Sequence, residues 1–347
     1  MKVLLLNTLY YPYSHGGAEK SVQTLAENLV LSGEEVQVIT LGESTERYDL
    51  NGVGIWSIKI KNRYWPFSDN EKSREDKFFW HLKDVRNTSY VQDLNKIIKG
   101  FEPDIIHTNN LSGFSTHVWA IAKKQNIKIV HTLRDYYLQC PSATKFKNNK
   151  ICSNTCVDCY FLSIIKKKAS QNVDCVVGIS DFILKDHIKE GYFSNSHKEV
   201  IYNGFEIEIS ENKQKDIIEN KKIVFGFIGQ INTSKGIEVL LESFNNLLEF
   251  ENWSLVIAGR INDDYKNKLR EICKSDRIKF LGFTNPEKFY NSIDVVIVPS
   301  AWNEPFGRVL IEAAIKGKVI LGSETGGIPE LLINNKDFIL DQIAKVL

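Results

Sequence analysis

Short apolar runs alternate with helix-length segments along the whole chain. In the first half the runs are KVLLLNT, VQVIT, PDIIHTN, KIVHTL and CVVGIS, and in the second half they are IVFGFIG, SLVIAG, IKFLG, DVVIVPS and VILGS. Continuous apolar strands joined by crossover segments are typical of parallel sheets that helices cover on both faces. The pattern therefore predicts an α/β fold with doubly wound parallel sheets.

The length of the chain indicates two domains, because 347 residues are more than one hydrophobic core usually supports. The stretch FEIEISENKQKDIIENKK lies between the two series of apolar runs and has no periodic apolar face. Such a polar segment is the best linker candidate, which puts the boundary between Asn203 and Glu219. We therefore expect one domain over residues 1–205 and a second over residues 206–347.

Composition excludes several classes of protein. The hydrophobic fraction of 43% and the charged fraction of 25% are ordinary for a globular protein. No apolar run approaches the roughly 20 residues that span a bilayer, and MKVLLLNTLYYPY is too short in its apolar core for a signal peptide. A net charge of +1 gives no argument for a nucleic-acid partner. We expect a cytoplasmic protein.

Two segments could bind an anion at the start of a helix. Gly16 and Gly17 precede apolar residues at helical spacing from Val22 to Leu29, so their N–H groups could face a phosphate, although a tight loop without a ligand is the alternative. Lys235 lies in GQINTSKG, just before another amphipathic helix. A cation at a helix start is favourable mainly when an anion such as a diphosphate lies between them. The alternative is a solvated lysine.

The segment EPFGRVLIE places two glutamates on either side of a Pro-Phe-Gly corner. Pro305 suits the first turn of a helix that ends before Gly317, which leaves Glu304 in the entry loop and Glu312 about two turns inside. This spacing fits two hydrogen-bond acceptors that reach hydroxyls at different points of one extended ligand. The alternative is helix-end electrostatics for Glu304 and a solvated Glu312.

These motifs together resemble glycosyltransferase family 4. The matching segments, in order, are HGGAEK, HTLRD, VVGIS, VIYNGFE, GQINTSKGIEVLLESF, LVIAG, FLGFT, DVVIVPSAWNEPFGRVLIEAAIKGKVI and ETGGIPEL. The resemblance covers about the whole chain and is more specific in the second half. It implies a GT-B fold, in which two Rossmann-like domains face each other across a cleft. The first domain would bind the acceptor and the second the nucleotide-sugar donor.

The resemblance also implies an activity. Members are retaining glycosyltransferases, so the chain is expected to transfer a hexose from a UDP- or GDP-sugar to a glycan or lipid-linked acceptor of a surface polysaccharide or glycoconjugate. The alternative is a catalytically inactive GT-B subunit that binds a glycan or a partner enzyme. Two departures allow it: Gln230 stands where relatives commonly have an arginine, and the long C-terminal crossover helix of relatives looks short or missing.

The site residues follow from the resemblance. The implied catalytic set is His131 beside the transferred sugar, Lys235 at the diphosphate and Glu304 at the sugar hydroxyls. Glu312 would hold the ribose. The further donor-binding residues implied are Gly16, Gly17, Gln230, Arg260, Gly282, Phe283, Pro305, Phe306 and Gly307. No cofactor and no catalytic metal are expected, because lysine, loop amides and helix ends would stabilise the leaving diphosphate.

A cysteine cluster and a basic helix complete the candidates. Cys140, Cys152, Cys156 and Cys159 end in a CxxxCxxC spacing, which is consistent with a structural zinc, and the alternative is four reduced cysteines. Downstream, YFLSIIKKKAS joins apolar residues to Lys166, Lys167 and Lys168. This segment could lie on the inner face of the cytoplasmic membrane as a peripheral anchor, or be a core-facing helix with a solvated lysine end.

Overall fold

The computed structural model describes residues 1–13, 16–67, 72–205, 222–332 and 339–340. It divides into two compact units, one formed by Met1–Lys145 with Cys152–Glu206 and the other by Phe146–Ile151 with Ile207–Leu347. Most of the predicted linker between Asn203 and Glu219 lies outside the described residues.

The first unit is built on an eight-stranded sheet. Its strands are β1 (Lys2–Leu6), β2 (Glu35–Gly42), β3 (Glu46–Leu50), β4 (Val53–Lys59), β5 (Ile105–Thr108), β6 (Lys128–Leu133), β9 (Cys175–Gly178) and β10 (His197–Val200). The hairpin of β7 (Phe146–Lys147) and β8 (Lys150–Ile151) groups with the second unit. The strand order is β10-β9-β6-β5-β1-β2-β4-β3. All neighbours are parallel except β3, which runs antiparallel to β4.

Helices of the first unit follow most of these strands. They are α1 (Gly17–Leu31), α2 (Arg74–Val85), α3 (Val91–Phe101), α4 (His117–Lys124), α5 (Val157–Ala169) and α6 (Asp181–Lys189). Helix α3 shows why they form: Leu94, Ile97, Ile98 and Phe101 recur at helical spacing and are all buried. Ser180 caps the start of helix α6, and its hydroxyl accepts a hydrogen bond from the backbone N–H of Ile183.

The second unit is built on a six-stranded, wholly parallel sheet in the order β13-β12-β11-β14-β15-β16. Its strands are β11 (Ile223–Ile228), β12 (Trp253–Ala258), β13 (Ile278–Gly282), β14 (Val295–Val298), β15 (Val319–Ser323) and β16 (Ile339–Leu340). Its helices are α7 (Ile237–Asn245), α8 (Asp263–Ile272), α9 (Pro286–Asn291), α10 (Arg308–Ile315) and α11 (Ile328–Leu331). Two apolar clusters, one around Leu241 and Ile257 and the other around Val296 and Leu310, form its core.

All ten apolar runs singled out in the sequence form strands of the two large sheets. In each sheet the chain crosses between parallel neighbours through helices, so the carboxyl ends of the strands meet at one edge. In the second unit, β11 and β14 are neighbours, and the loops after them begin side by side. None of the helices that the structure describes is both long and apolar enough to cross a bilayer.

Candidate functional site

Lys235 and Glu304 form an ion pair in the second unit. Lys235 ends a short 3-10 turn, Thr233–Lys235, between β11 and α7, and Glu304 lies in the loop after β14. The ammonium group of Lys235 contacts Oε1 of Glu304, and the Ser300 hydroxyl donates to the same oxygen at 3.0 Å. The two charged side chains are only 24% and 11% exposed, so water screens their attraction less than it would on an open surface.

The loop that carries Lys235 is held in place by its own polar groups and by the loop after β14. The side-chain oxygen of Asn232 accepts from the backbone N–H of Lys235 at 3.2 Å. The carbonyl of Ser234 accepts from the backbone N–H groups of Ala301 and Trp302 at 2.9 and 3.2 Å. The ammonium group also lies 5.0 Å from the centroid of the Trp302 ring. The lysine is therefore positioned before any ligand binds.

A third loop, after β15, supports the backbone of Glu304. The N–H of Gly327 donates to the carbonyl of Glu304 at 2.7 Å. Gly326 packs so closely that a Cβ atom there would lie 2.1 Å from that carbonyl oxygen, and its φ of +61° is strained for other residues. The hydroxyls of Ser323 and Thr325 both donate to the carbonyl of Ser300. Glu304 is thus fixed from two sides.

Glu312 has a different environment from Glu304. Arg308 donates to its Oε1 at 2.8 Å, and the Tyr290 hydroxyl donates to its Oε2 at 3.0 Å. Burial, together with the neighbouring Glu312, raises the pKa of Tyr290, so this hydroxyl stays a donor. The prediction for Pro305 is wrong: α10 begins at Arg308, because Gly307 at φ +95° precedes it, and Pro305 lies in the loop. Glu312 is in the second turn of the helix.

The other predicted residues of the second unit lie in loops after neighbouring strands. Gln230 follows β11, and Arg260 follows β12 with its guanidinium 5.1 Å from the centroid of the Phe283 ring. Phe283 follows Gly282 and is 76% exposed. The carbonyl of Gly282 accepts from the N–H of Gly259 at 2.8 Å, which joins the loops after β12 and β13. An exposed aromatic ring beside a cation is a surface on which a planar base can stack.

Phe306 and Gly307 complete the corner that Pro305 begins. The Phe306 side chain is buried, with 4% of its surface exposed. A Cβ atom on Gly307 would lie 2.7 Å from a methyl group of Leu310 in α10, and the φ of +95° at this position is strained for other residues. Burial of Phe306 fixes the backbone of Pro305 and Gly307 next to Glu304.

In the first unit, His131 is buried at the end of β6. Its Nδ1 lies 2.9 Å from the hydroxyl of Thr108, which also accepts from the indole N–H of Trp119 at 3.0 Å. The ring stacks on Phe193 with centroids 5.7 Å apart. Burial lowers the pKa of His131 well below its ordinary value, with like charges on His187 and His107 adding to the effect. The imidazole is therefore neutral at neutral pH.

Gly16 and Gly17 lie at the start of α1 as predicted, and Gly17 is its first residue. The backbone N–H of Gly16 donates to the carboxylate of Glu19 at 2.9 Å. A carboxylate therefore contacts the helix start where the sequence predicts a phosphate. Both anions are favoured there by the same exposed N–H groups.

The structural zinc at the cysteine cluster stays a prediction. Among the described residues, which include all four cysteines of the cluster, no three His, Cys, Asp or Glu side chains are arranged to hold a metal ion. Cys140 is buried with its Sγ 3.1 Å from the Ser142 hydroxyl, whereas Cys156 is exposed at the start of α5. Cys159 interacts with both Cys140 and Cys156, and the hydrogen bond between Cys159 and Cys140 lowers the pKa of the Cys140 thiol and raises that of Cys159. Cys152 follows β8.

The sequence analysis missed several residues that position the candidate site. Ser300 and Trp302 lie in the same loop as Glu304, whereas Tyr290 lies in α9 and Gly326 in the loop after β15. Arg308 carries a local signal, because it lies four residues before Glu312 on one helix.

The chain matches two family models that together span nearly all of it. Residues 15–209 match the model described as Glycosyltransferase Family 4, and residues 208–343 match the model described as Glycosyl transferases group 1. An uncharacterized 42.6 kDa protein in the cps region of Klebsiella pneumoniae is 38% identical over 95% of this chain and 87% of its own. An uncharacterized glycosyltransferase of Methanocaldococcus jannaschii is 28% identical over 96% of this chain and 83% of its own.

Among solved structures, the Anabaena protein HepE in complex with UDP-glucose superimposes with a TM-score of 0.65 at 19% sequence identity. The match covers 95% of this chain and 82% of HepE. At this identity the likeness concerns the fold, and it agrees with the two doubly wound sheets described above. The predicted fold class, GT-B, is confirmed.

Proposed function

Because the chain belongs to glycosyltransferase family 4, we propose that it is a retaining, metal-independent hexosyltransferase that uses a nucleoside diphosphate sugar. The observation that carries the proposal is the Lys235–Glu304 pair at the carboxyl ends of adjacent parallel strands. Open α/β sheets bind their ligands at this edge. A cation and a hydroxyl acceptor side by side match the two parts of a sugar diphosphate.

In the proposed complex, the donor changes the partners of both side chains. The diphosphate takes the ammonium group of Lys235, and the Glu304 carboxylate accepts from sugar hydroxyls while Ser300 keeps its hydrogen bond. The backbone of Pro305, Phe306 and Gly307 lines the sugar. Glu312, fixed by Arg308 and Tyr290, accepts from the ribose hydroxyls. Arg260, Phe283, Gly282 and Gln230 border the base, and the start of α1 at Gly16 and Gly17 contributes N–H groups to the diphosphate.

The proposed chemistry breaks the bond between the anomeric carbon and the diphosphate oxygen while the acceptor oxygen attacks from the same face. The acceptor proton passes to the departing diphosphate oxygen, so no enzyme base is consumed. Lys235 and loop N–H groups stabilise the negative charge that develops on the diphosphate. His131 is proposed beside the transferred sugar, where a neutral imidazole offers Nε2 as a hydrogen-bond partner because Nδ1 is held by Thr108.

The relatives support the pathway and the donor class. The Klebsiella relative is described by its place in a cps region, and the Anabaena structure holds UDP-glucose. We therefore propose that the donor is a UDP-sugar rather than a GDP-sugar. The proposed acceptor is a glycan or lipid-linked acceptor of a surface polysaccharide, and the proposed place of transfer is the cytoplasmic side of the membrane. Addition of a chelator should leave the transfer rate unchanged.

A thermal-shift panel of nucleoside diphosphates and their sugars tests the proposal. A ligand that binds only the folded protein raises the midpoint of unfolding by mass action. We expect UDP or GDP, and the corresponding sugars, to raise it, and Lys235→Ala to reduce the shift. No shift with any diphosphate would contradict the proposal. Lys128→Ala is the matched control, because Lys128 also pairs with a carboxylate, that of Asp174, and this pair lies at the amino ends of β6 and β9 in the first unit.

One observation favours the second candidate, an inactive binding subunit. Gln230 stands at the position where the family commonly has an arginine, so Lys235 would meet the diphosphate charge without it. An assay for release of nucleoside diphosphate from the donor distinguishes an active transferase from an inactive binding subunit. A subunit without activity should release none even at high protein concentration.

A further inference from the structure

Trp302, in the loop after β14, contacts the loop after β11 in two ways. Its backbone N–H donates to the carbonyl of Ser234 at 3.2 Å, and its ring lies beneath the ammonium group of Lys235, with 5.0 Å between the nitrogen and the ring centroid. The Trp302 side chain is half-buried. A cation at this distance from the face of an indole ring is attracted by the electrons of the ring.

Close packing of the two loops fixes the backbone on both sides of the Lys235–Trp302 contact. Gly236 follows Lys235, and a Cβ atom there would lie 1.8 Å from the carbonyl oxygen of Pro299. The φ of Gly236 is +74°, a conformation that favours glycine. Pro299 lies at the start of the loop that carries Trp302. The ring and the ammonium group therefore approach each other from two backbones that are held together.

Glu304 and Trp302 hold the same ammonium group in different ways. The Glu304 carboxylate carries a negative charge, so it offsets the charge of Lys235 while it holds the side chain. The Trp302 ring has no net charge and attracts the cation through its quadrupole. A lysine that only the ring holds keeps its whole charge for a diphosphate. The ring therefore positions the ammonium group without competing with an anionic ligand.

This difference matters because the proposed donor separates Glu304 from Lys235. In the proposed complex the Glu304 carboxylate accepts from sugar hydroxyls and no longer holds the ammonium group. A lysine that the diphosphate alone had to order would lose much of its rotamer freedom on binding. A ring that already holds the side chain removes part of that cost, because the group is preorganised. Loss of the ring should therefore weaken the complex more than it affects the free protein, in which Glu304 still holds the lysine.

We propose that Trp302 is a positioning residue that keeps the Lys235 ammonium group in place, with its charge available, after Glu304 has turned to the sugar. This inference rests on the proposed function, because the sugar is what draws Glu304 away from the lysine. Two ligands of the same site should therefore differ. UDP brings no sugar, so Glu304 stays with Lys235 and the ring matters less. A UDP-sugar engages Glu304, so the ring matters more.

Fluorinated tryptophan tests the ring while its shape stays nearly the same. The chain has six tryptophans, and the full chain is produced with monofluorinated, difluorinated and trifluorinated tryptophan in turn. Each fluorine withdraws electrons from the ring and so weakens its attraction for a cation. Calorimetric titration with UDP-glucose should show affinity that falls stepwise, by about 3- to 10-fold in all. Affinity for UDP should fall less. Another UDP-sugar of the thermal-shift panel replaces UDP-glucose if it raises the midpoint more.

Substitution of Trp302 assigns the effect to this ring. Trp302→Leu should bind UDP-glucose about tenfold more weakly, and Trp302→Phe should recover part of the loss, because a phenyl face attracts a cation less strongly than indole does. Produced with fluorinated tryptophan, either variant should show no further stepwise loss, although five tryptophans remain. Trp56→Leu is the matched control, because the Arg47 guanidinium lies 4.7 Å from the centroid of that ring in the middle of β4. This control should keep the wild-type affinity and the stepwise loss.

Three results would overturn the role of Trp302 and leave the proposed function intact. The first is a wild-type affinity for the UDP-sugar that stays constant across the fluorinated series. The second is an equal loss for UDP and for the UDP-sugar. The third is a stepwise loss that persists in Trp302→Phe, because another ring would then cause it. A wild-type protein that binds neither UDP nor any UDP-sugar of the panel would instead overturn the proposed function, and this role with it.

Discussion

The ammonium group of Lys235 contacts the carboxylate of Glu304 although the two residues are 69 positions apart in the chain. The parallel pairing of β11 with β14 brings their loops together, and hydrogen bonds from Ala301 and Trp302 to Ser234 fix one loop against the other. A cation held this way needs little reorganisation to meet a diphosphate, which is the property expected of a group that stabilises a leaving anion.

Replacing Glu304 by Gln should abolish transfer and leave the binding of nucleoside diphosphate largely intact. The amide keeps the size of the side chain but loses the negative charge that accepts from sugar hydroxyls. Calorimetric titration with UDP and an assay of transfer measure the two properties separately. A parallel loss of both would contradict a role at the sugar alone.

Glu312→Ala should instead weaken binding of the nucleoside diphosphate itself. Tyr290→Phe removes the hydroxyl that donates to Glu312 at 3.0 Å, so it should have a smaller effect in the same direction. Titration with UDP is the measurement, since no sugar is present to involve Glu304. Unchanged UDP affinity in Glu312→Ala would remove this residue from the nucleotide site.

Gly326→Ala should impair donor binding without touching the donor. The added Cβ would lie 2.1 Å from the carbonyl oxygen and 2.5 Å from the nitrogen of Glu304, so the loop must move. Gly100→Ala is the control, because no atom lies within 4 Å of its Cβ position and it occurs in helix α3, where Ala is favoured. We expect loss of the donor-induced thermal shift only in Gly326→Ala. Normal shifts in both variants would show that the Glu304 backbone does not need this support.

The free energy of unfolding should fall as the pH is lowered from 6.5 to about 4. Burial lowers the pKa of His107 to about 3 and of His187 to about 4, so the unfolded chain binds protons in this range that the folded chain does not. Each such histidine lowers the free energy of unfolding by about 1.4 kcal/mol for each pH unit of this range. Burial raises the pKa of Asp135 to about 6, which acts in the opposite direction between pH 6 and 4.

Urea unfolding of variants isolates the histidine contribution. His187→Phe should reduce the pH slope by about 1.4 kcal/mol per unit, since one proton fewer is taken up on unfolding. His197→Phe is the control, because the His197 side chain is 70% exposed. Identical slopes in both variants would contradict the lowered pKa of His187.

The sequence analysis predicts strands from continuous apolar runs and misses β3, β4 and β10 of the first sheet. Strand β4, VGIWSIK, is mostly buried, but polar and glycine positions interrupt its apolar run. All ten apolar runs are strands, because continuous burial on both faces leaves a direct trace in the chain. Strand β10, HKEV, is exposed at every position and forms only because β9 offers an edge for pairing. Strand β3 has no buried position and depends on β4 in the same way.

The same limit applies to the candidate site and to α5. Spacing predicts Glu304 and Glu312 as separate acceptors, but the contact of Tyr290 with Glu312 joins residues 22 positions apart, which no local pattern reveals. The basic amphipathic character of α5 is visible in the sequence. Which side of the helix faces solvent depends on buried contacts: Lys166 donates to Tyr137, and the Tyr137 hydroxyl donates to the distant Asp84. The residue pattern of one segment does not predict which distant residues of the chain it will contact.

The rate at which nucleoside diphosphate is released from the sugar donor in Lys235→Ala tests the central claim most directly. If Lys235 stabilises the leaving diphosphate, its removal should cost about 2.7 to 4 kcal/mol in the transition state, roughly a 100- to 1,000-fold slower rate. The control Lys128→Ala should release it at the wild-type rate. A near-normal rate in Lys235→Ala would contradict the account.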